Sequence, residues 1–273
     1  MSFALLALLL AAPPIAAGTG TALPAVRLLA QAFERVQPAF ELTVARSIGS
    51  SGAPLAVRDG AVALGLMSRP FKAAEGLGLC AIPFARDILV VAAAPNVRDQ
   101  GITSTQLVDL FAGRLKIWPA TGIPLRVLQR EATDSGSAVF EGLVPGLRET
   151  LARALTERRW RLLFHDGEMQ EALLRTPGAV GLFDLGAIRA QGLPLQALAI
   201  DGVPPSPNAV ASGRYPFAET LRFIERTDRA QATPLAAFLA FVRSPAGVAA
   251  LAAAGYGPPP AGEEATCPPA PAH

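Results

Sequence analysis

The segment REATDSGSAVF, residues 130–140, places an arginine ahead of an Asp-Ser-Gly-Ser turn that opens an apolar run. Asp134 and Ser135 are favourable helix N-caps, so the segment predicts a helix that begins here. Such a helix would direct free backbone N–H groups and the hydroxyls of Ser135 and Ser137 toward one point, near the cation of Arg130. These features are typical of an anion-binding site. The alternative is a surface helix that Asp134 merely caps.

Three further turns of the chain share this hydroxyl-and-glycine composition. They are Gly18-Thr19-Gly20-Thr21-Ala22, Gly49-Ser50-Ser51-Gly52 and Ser68-Arg69-Pro70. Each lies at a predicted helix N-terminus or at the carboxyl end of a predicted parallel strand, where open α/β sheets bind ligands. A single turn of this kind is ordinary loop chemistry. The recurrence of four favours a donor-rich site for an oxyanion.

The order of the hydrophobic patterns indicates an α/β fold with a mostly parallel sheet. An apolar stripe predicts an amphipathic helix over Pro24–Gln37, and alternation predicts a half-buried strand over Phe40–Val44. Asp87–Ala94 is almost wholly apolar, as expected of a strand covered on both faces. Other helices are expected at Thr103–Ala112, Gly146–Arg159, Glu168–Arg175 and Pro234–Val242, and other strands at Ala61–Leu66, Leu125–Leu128, Ala179–Phe183 and Leu195–Ile200. Ala218–Arg226 fits either a strand or a helix.

The composition limits the classes of function that the chain can serve. Its 24 basic and 22 acidic residues leave a net charge of +2, and no basic run stands out. Nucleic acid and anionic membrane are therefore not expected as partners. The chain lacks CxxC, HExxH and GxSxG motifs, so we expect no metal, no cofactor and no catalysis. His165 is interpreted as a loop residue rather than a catalytic base.

The N-terminus of the chain suggests an exported protein. Residues 1–17 contain a short apolar run followed by Pro13, Pro14 and small residues, which is typical of a signal peptide; a retained anchor or a different start are the alternatives. The two cysteines, Cys80 and Cys267, either form one disulfide in an oxidising compartment or remain unpaired thiols. Residues 259–273 are rich in proline and lack periodicity, so we expect a disordered tail.

Taken together, the motifs resemble the phosphate-binding proteins of bacterial ABC importers, within the class II periplasmic solute-binding fold. The resemblance covers residues 18–258, and it rests on the order and spacing of the motifs more than on any one of them. The motifs are GTGTALP (18–24), GSSG (49–52), SRP (68–70), Arg130 with SGS (135–137), PGAVGL (177–182), SGRYP (212–216) and FVRSPAGVAALAAAGYGP (241–258).

The resemblance implies two α/β lobes joined by a two-segment hinge, with residues 18–88 plus 195–258 in one lobe and 89–194 in the other. It also implies that Ala218–Arg226 is a strand. The protein would be a periplasmic monomer that captures inorganic phosphate between the lobes for an inner-membrane ABC permease. The alternatives are a receptor for another oxyanion, such as sulfate, molybdate or tungstate, and a signalling or scaffold protein that keeps the clamp.

By position, the resemblance also implies a set of ligand residues. From one lobe these are Thr21, the Ala22 N–H, Ser50 and Ser68, and from the other they are Arg130, Ser135, the Gly136 N–H and Ser137. Many family members have an aspartate after the equivalent of Ser68, which accepts the proton of hydrogen phosphate. Here that position is Arg69, which either contacts the ligand or is a solvated turn residue. Asp134 or Glu131 would then accept the proton, unless selectivity is relaxed. Arg130 and Ser135 are five positions apart, where the family usually has four.

Overall fold

A ten-stranded mixed sheet is the main element of the computed structural model, which describes residues 12–72, 74–228 and 233–268. The strands are β1 Ile15–Gly18, β2 Thr43–Val44, β3 Leu64–Met67, β4 Leu79–Ala93, β5 Gly101–Ile102, β6 Arg126–Arg130, β7 Arg161–Leu163, β8 Ala179–Asp184, β9 Gln196–Ile200 and β10 Ala218–Arg226. Their order is β2-β1-β3-β10-β4-β8-β6-β7, with β9 on β4 and β5 on β9. The predicted α/β class is confirmed.

Helices cover the sheet, and the described part of the chain contains a 3-10 helix at Gly20–Ala22 and ten α-helices. The α-helices are α1 Leu23–Glu34, α2 Gly49–Arg58, α3 Ser104–Phe111, α4 Ser135–Leu143, α5 Leu147–Thr156, α6 Asp166–Arg175, α7 Leu185–Ala190, α8 Pro207–Ala211, α9 Thr233–Arg243 and α10 Pro245–Ala253. Helix α1 buries Val26, Leu29 and Phe33 of its predicted apolar stripe, but it ends at Glu34, before the predicted end at Gln37, and Val36 is exposed. No single described helix is long and apolar enough to cross a membrane, although the bent pair Pro234–Arg243 and Pro245–Ala253 reaches that length and composition together.

Strand β4 connects two separate hydrophobic cores. Its part Leu79–Ile88 pairs antiparallel with β10, and its part Leu89–Ala93 pairs with β8 and, near its end, β9. Because β10 brings the chain back in the opposite direction, it lies antiparallel to both β3 and β4. We name the part built on β1–β3 and β10 the first lobe, and the part built on β5–β9 the second lobe. Strands β4 and β10 thus form the two-segment connection that the resemblance implied.

The second crossing between the lobes lies at Phe217, later in the chain than the boundary expected after residue 194. Strand β9 pairs with β4 inside the second lobe. The hydroxyl of Tyr215 donates to the Leu89 carbonyl oxygen at 2.9 Å, which ties the approach to β10 to the same lobe. Residues 195–217 therefore pack in the second lobe, and their assignment to the first is wrong. The boundary could not be predicted from turn motifs, because these do not indicate which strand pairs with β9.

Strand β1 contains residues 15–17, which were predicted to be part of the export signal. Ala16 and Ala17 are buried, and β1 pairs in parallel with β2 on one side and β3 on the other. At Gly18 a Cβ atom would lie 1.9 Å from the Leu66 carbonyl oxygen, so glycine is required there. A cleavage after Ala17 would remove most of this strand. Residues 1–11 of the expected signal lie outside the described part of the chain.

The C-terminal segment packs against the first lobe. Cys80 in β4 and Cys267 form a disulfide, which resolves the alternative that the sequence left open. Beside it, the Thr266 N–H donates to the Ala81 carbonyl oxygen at 2.9 Å, and the Ala81 N–H donates back at 2.8 Å. The expected disorder is therefore wrong for residues 259–268, because a covalent link and strand-like pairing hold a segment that has no periodicity. Residues 269–273 lie outside the described part of the chain.

Candidate functional site

A cleft of about 900 Å³ lies between the lobes, where β1, β3 and β6 have their carboxyl ends. Each of the four turns singled out in the sequence contributes to its walls. The predicted ligand residues that line it are Thr21, Ser50, Ser68, Arg69, Arg130 and Ser135. Gly136 lines a small adjoining cavity together with Thr21 and Arg130. Local turn chemistry and the parallel strands therefore bring most of the predicted set to one place.

Two predicted residues, Ala22 and Ser137, lie outside the walls of the cleft. The Ala22 N–H donates to the Thr19 carbonyl oxygen at 3.3 Å, inside the 3-10 turn. The N–H and the hydroxyl of Ser137 both donate to Oδ2 of Asp134 at 2.8 Å. Asp134 is thus the N-cap of α4, as predicted, and both donors of Ser137 bond to this capping carboxylate.

Hydroxyl groups from both lobes meet in the cleft. Ser68 follows β3 in the first lobe, Ser135 opens α4 in the second, and their Oγ atoms lie 2.8 Å apart. The Oγ of Ser50, in the first turn of α2, lies 3.4 Å from that of Ser68 and accepts the Ser68 N–H at 3.4 Å. The Oγ1 of Thr19 lies 3.5 Å from Oγ of Ser68, at the limit of hydrogen bonding. Ser68 is the centre of this group, and it is buried.

Arg130 is the buried cation of the cleft, and it is already paired. Its side chain is 8% exposed, its NH1 pairs with Asp166, and its NH2 lies 3.1 Å from Oδ1 of Asp134. NH2 also donates to the Phe164 carbonyl oxygen at 3.3 Å, while the buried Nε has no partner among the described residues. Burial lowers the pKa of Arg130, but the carboxylates of Asp166 and Asp134 outweigh burial and raise it. The guanidinium therefore stays charged, although two carboxylates already balance it.

Asp166 is a member of the cleft that the sequence analysis missed. It is the first residue of α6, and a Cβ atom on Gly20 would lie 1.7 Å from its Oδ2. The carboxylate therefore reaches the 3-10 turn of the first lobe while it pairs with Arg130. Neighbouring His165 also lines the cleft, and its backbone N–H donates to Glu168 at 3.2 Å.

Arg69 lines the cleft, but other side chains of the first lobe already accept its hydrogen bonds. Its two terminal nitrogens donate to the two carboxylate oxygens of Glu75 at 2.7 and 2.9 Å, and NH2 donates to Oγ of Ser51 at 3.1 Å. Glu131, a candidate proton acceptor, accepts hydrogen bonds from Thr133 within its turn at 2.7 and 2.8 Å. Neither side chain is placed as a free contact for a ligand.

Two buried aspartates lie at the junction of β4 and β8 behind the cleft. Burial raises the pKa of Asp87 to about 7, although the N–H groups of Gly186 and Ile88 donate to it at 3.1 and 2.7 Å. Burial, with the nearby charges of Asp87 and Asp166, holds the pKa of Asp184 well above its usual value. Both carboxyl groups therefore hold their protons more tightly than exposed aspartates do.

Glu219, on β10, is a further acid of the cleft wall. It is 5% exposed, and neither carboxylate oxygen has a hydrogen-bond partner among the described residues. Burial raises its pKa well above the usual value, and the carboxylates of Asp134, Asp87 and Asp166 add to this, against a small opposite effect of the Ser135 hydroxyl. Alternation along β10 puts Glu219 on the face of Leu221, which is the sequence signal that could have found it.

The protein has two α/β lobes that strands β4 and β10 connect, and hydroxyl groups of both lobes lie together in the cleft between them. This architecture is that of the two-lobed ligand-binding proteins. The family model described as a PBP superfamily domain matches residues 13–246 of the chain. The protein belongs to this superfamily.

Named relatives are similar to the chain along most of its length. It is 26% identical to the phosphate-binding protein PstS of Bacillus subtilis (strain 168) over 73% of this chain, and it spans 65% of the length of that relative. A structure described as a phosphate ABC transporter substrate-binding protein with bound phosphate, from Clostridium perfringens, superimposes with a TM-score of 0.74 at 20% identity, covering 89% of this chain and 98% of the other. An ABC-type phosphate transport receptor from Vibrio cholerae gives 0.61 at 18% identity, covering 90% and 100%. At these identities the structures show a shared fold.

Proposed function

We infer that the protein is an exported solute-binding protein that captures inorganic phosphate in the cleft and delivers it to an inner-membrane ABC permease. The phosphate assignment rests on the hydroxyl groups of Ser68 and Ser135, which come from different lobes and lie 2.8 Å apart. The buried guanidinium of Arg130 lines the same cleft. The names of the relatives support phosphate as the anion. The proposed action is binding and release by a monomer, without a chemical step.

The chemistry of the walls suits a tetrahedral oxyanion. The hydroxyls of Thr21, Ser50, Ser68 and Ser135 can each donate a hydrogen bond, and such bonds to a charged acceptor are about twice as strong as neutral ones. The first N–H groups of α4 have no acceptor inside the helix and add partial positive charge. An anion between Ser68 and Ser135 would replace their mutual hydrogen bond with two bonds of its own. Ligand binding would in this way hold the two lobes together.

A hydrolytic function has little support in the same walls. Ser51 accepts from Arg69, the Ser135 hydroxyl meets Ser68, and both donors of Ser137 go to Asp134. None of these hydroxyls bonds to His165 within the described residues. A serine nucleophile needs a general base within hydrogen-bond reach, and the described cleft does not present this arrangement.

Equilibrium titration of the purified protein tests the assignment. Calorimetry with phosphate, sulfate and molybdate at one ionic strength should give a phosphate dissociation constant well below about 1 mM, with the other anions weaker. Tighter binding of sulfate or molybdate would move the assignment to that anion. No binding of any oxyanion below about 1 mM would contradict the transport function altogether. Loss of phosphate uptake in cells that lack the protein, restored by the gene, would support delivery to a permease.

A further inference from the structure

Glu219 lies where strand β10 enters the first lobe, two residues after the crossing at Phe217. It is 5% exposed, its oxygens are sealed from water, and neither has a hydrogen-bond partner among the described residues. A buried carboxyl group without partners is costly, and native proteins retain such groups rarely. Glu219 also lines the cleft, so we look for its hydrogen-bond partner in the ligand that the cleft binds.

The groups around Glu219 determine its protonation state. The negative charges of Asp134 on α4, Asp87 on β4 and Asp166 on α6 raise its pKa, and the hydroxyl of Ser135 lowers it. Arg130 and Arg222 line the same cleft, and both already have partners. Arg130 pairs with Asp134 and Asp166. On β10 itself, Arg222 pairs with Glu263 of the C-terminal segment and donates to the Thr220 carbonyl oxygen.

This environment favours the neutral form of the carboxyl group. Burial and the surrounding negative charges raise the pKa of Glu219 well above its usual value. A protonated carboxyl group has one O–H donor and can still accept. It differs in this respect from a carboxylate, which would repel an anion at the same position.

We propose that Glu219 is a ligand-binding residue of the cleft, which in its carboxylic acid form donates a hydrogen bond to the bound oxyanion beside Ser135. The proposal rests on the proposed capture of phosphate and deepens it. In a cleft whose arginine is already balanced by two carboxylates, a neutral donor adds affinity without a further charge. It also makes binding depend on a proton that the protein, and not the anion, carries.

A glutamine at this position imitates the neutral acid, because its amide has both a donor and an acceptor. In phosphate titrations by calorimetry, Glu219→Gln should bind within about fivefold of the wild type at pH 6, whereas Glu219→Ala should bind about 10- to 100-fold more weakly. Above the pKa of Glu219, wild-type affinity should fall relative to Glu219→Gln by up to about tenfold per pH unit. The titration of phosphate itself affects both affinities equally, so it does not change their ratio. The exposed Glu149→Gln serves as the matched control and should follow the wild type.

The outcomes separate this proposal from the function on which it rests. If wild-type protein binds no phosphate between about pH 5 and pH 9, the proposed function fails. If the wild type binds but Glu219→Ala binds equally well, Glu219 has no contact with the anion. If Glu219→Gln loses affinity as Glu219→Ala does, or shows the same pH dependence as the wild type, the acid is not the donor. Should Glu219→Ala not fold, the wild-type to glutamine ratio alone decides. A change of the protonated carboxyl band in infrared difference spectra on phosphate addition, absent in Glu219→Gln, would confirm the contact directly.

Discussion

The hydroxyl oxygens of Ser68 and Ser135 lie 2.8 Å apart, although 67 positions separate the two residues in the chain. Ser68 belongs to the first lobe and Ser135 to the second, so the hydrogen bond joins the lobes across the cleft. A ligand that takes both hydroxyls as donors must replace this bond. The pair therefore links the relative position of the lobes to occupancy of the site.

A double-mutant cycle on this pair tests whether both hydroxyls contact one anion. Ser68→Ala and Ser135→Ala should each weaken phosphate binding by about 1–2 kcal/mol, the value of a lost hydrogen bond. The loss of binding free energy in the double variant should differ from the sum of the two single losses by at least about 0.5 kcal/mol, because the two hydroxyl groups share one partner. Calorimetry measures all four affinities, with the exposed Thr121→Ala as a control. Strictly additive losses would show that the two hydroxyls act at separate places.

Arg130 should contribute both to binding and to folding. Arg130→Ala is expected to weaken phosphate binding by about 2–5 kcal/mol. It should also lower the free energy of unfolding by about 3–5 kcal/mol, because the largely buried carboxylates of Asp134 and Asp166 would lose the cation that balances them. Adding Asp166→Asn should restore part of the stability but not the affinity. Urea unfolding and calorimetry measure the two effects separately. Full affinity of a folded Arg130→Ala protein would move the anion site elsewhere.

Folding stability should fall as the pH rises from acidic to neutral. The pKa of Asp87 is raised by burial to about 7 in the folded protein, against 3.8 when exposed. The proton is therefore held more tightly in the folded state, so the stabilisation is complete below about pH 4 and is lost as the pH rises toward 7. Asp87→Asn keeps the oxygen that accepts from Gly186 and Ile88, and it should be more stable than the wild type at pH 8.

The measurement for Asp87 is urea unfolding across pH 5 to 8, with the exposed Asp59→Asn as a control. The free energy of unfolding of Asp87→Asn should change less over this range than that of the wild type. Because Asp184 and Glu219 also have raised pKa values, some of the dependence should remain in the variant. Identical pH profiles for wild type and Asp87→Asn would contradict the prediction.

The disulfide between Cys80 and Cys267 should stabilise the folded chain substantially. It closes a loop with a sequence separation of 187, so reduction should lower the free energy of unfolding by about 3–5 kcal/mol. Thermal unfolding with and without dithiothreitol measures the effect. The double variant Cys80→Ser/Cys267→Ser is the control and should not respond to the reductant. Equal unfolding temperatures for oxidised and reduced wild type would disprove a structural role.

Burial of strand β1 limits where an export signal can be cleaved. A chain that starts at Pro13 retains all of β1 and should fold, whereas a chain that starts at Gly18 lacks the buried Ala16 and Ala17. The shorter chain should unfold at lower urea concentration or aggregate. Mass spectrometry of the exported protein should accordingly find an N-terminus at or before Ile15. An N-terminus at Gly18 on a stably folded protein would show that β1 is dispensable.

The site was predictable from sequence to the extent that it depends on local turns. The N-cap of α4, the hydroxyls of Ser50 and Ser135 and the serine after β3 follow from residue types within a few positions, and the structure brings these turns to one cleft. The sequence did not show which of these hydrogen-bond donors are free to bind a ligand. Ser137 and Arg69 carry suitable groups, but Asp134 and Glu75 take their hydrogen bonds.

Sequence alone determined the α/β class, most helices and strands, and the four polar turns around REATDSGSAVF, because periodicity and capping act over short distances. Only the tertiary structure decided that Arg130 pairs with Asp166, that Glu219 is buried beside Ser135, and that residues 195–217 join the second lobe. These features depend on which strands become neighbours in the sheet. Strand pairing joins residues far apart in the chain, and the burial that it produces raises the pKa values of Asp87, Asp184 and Glu219.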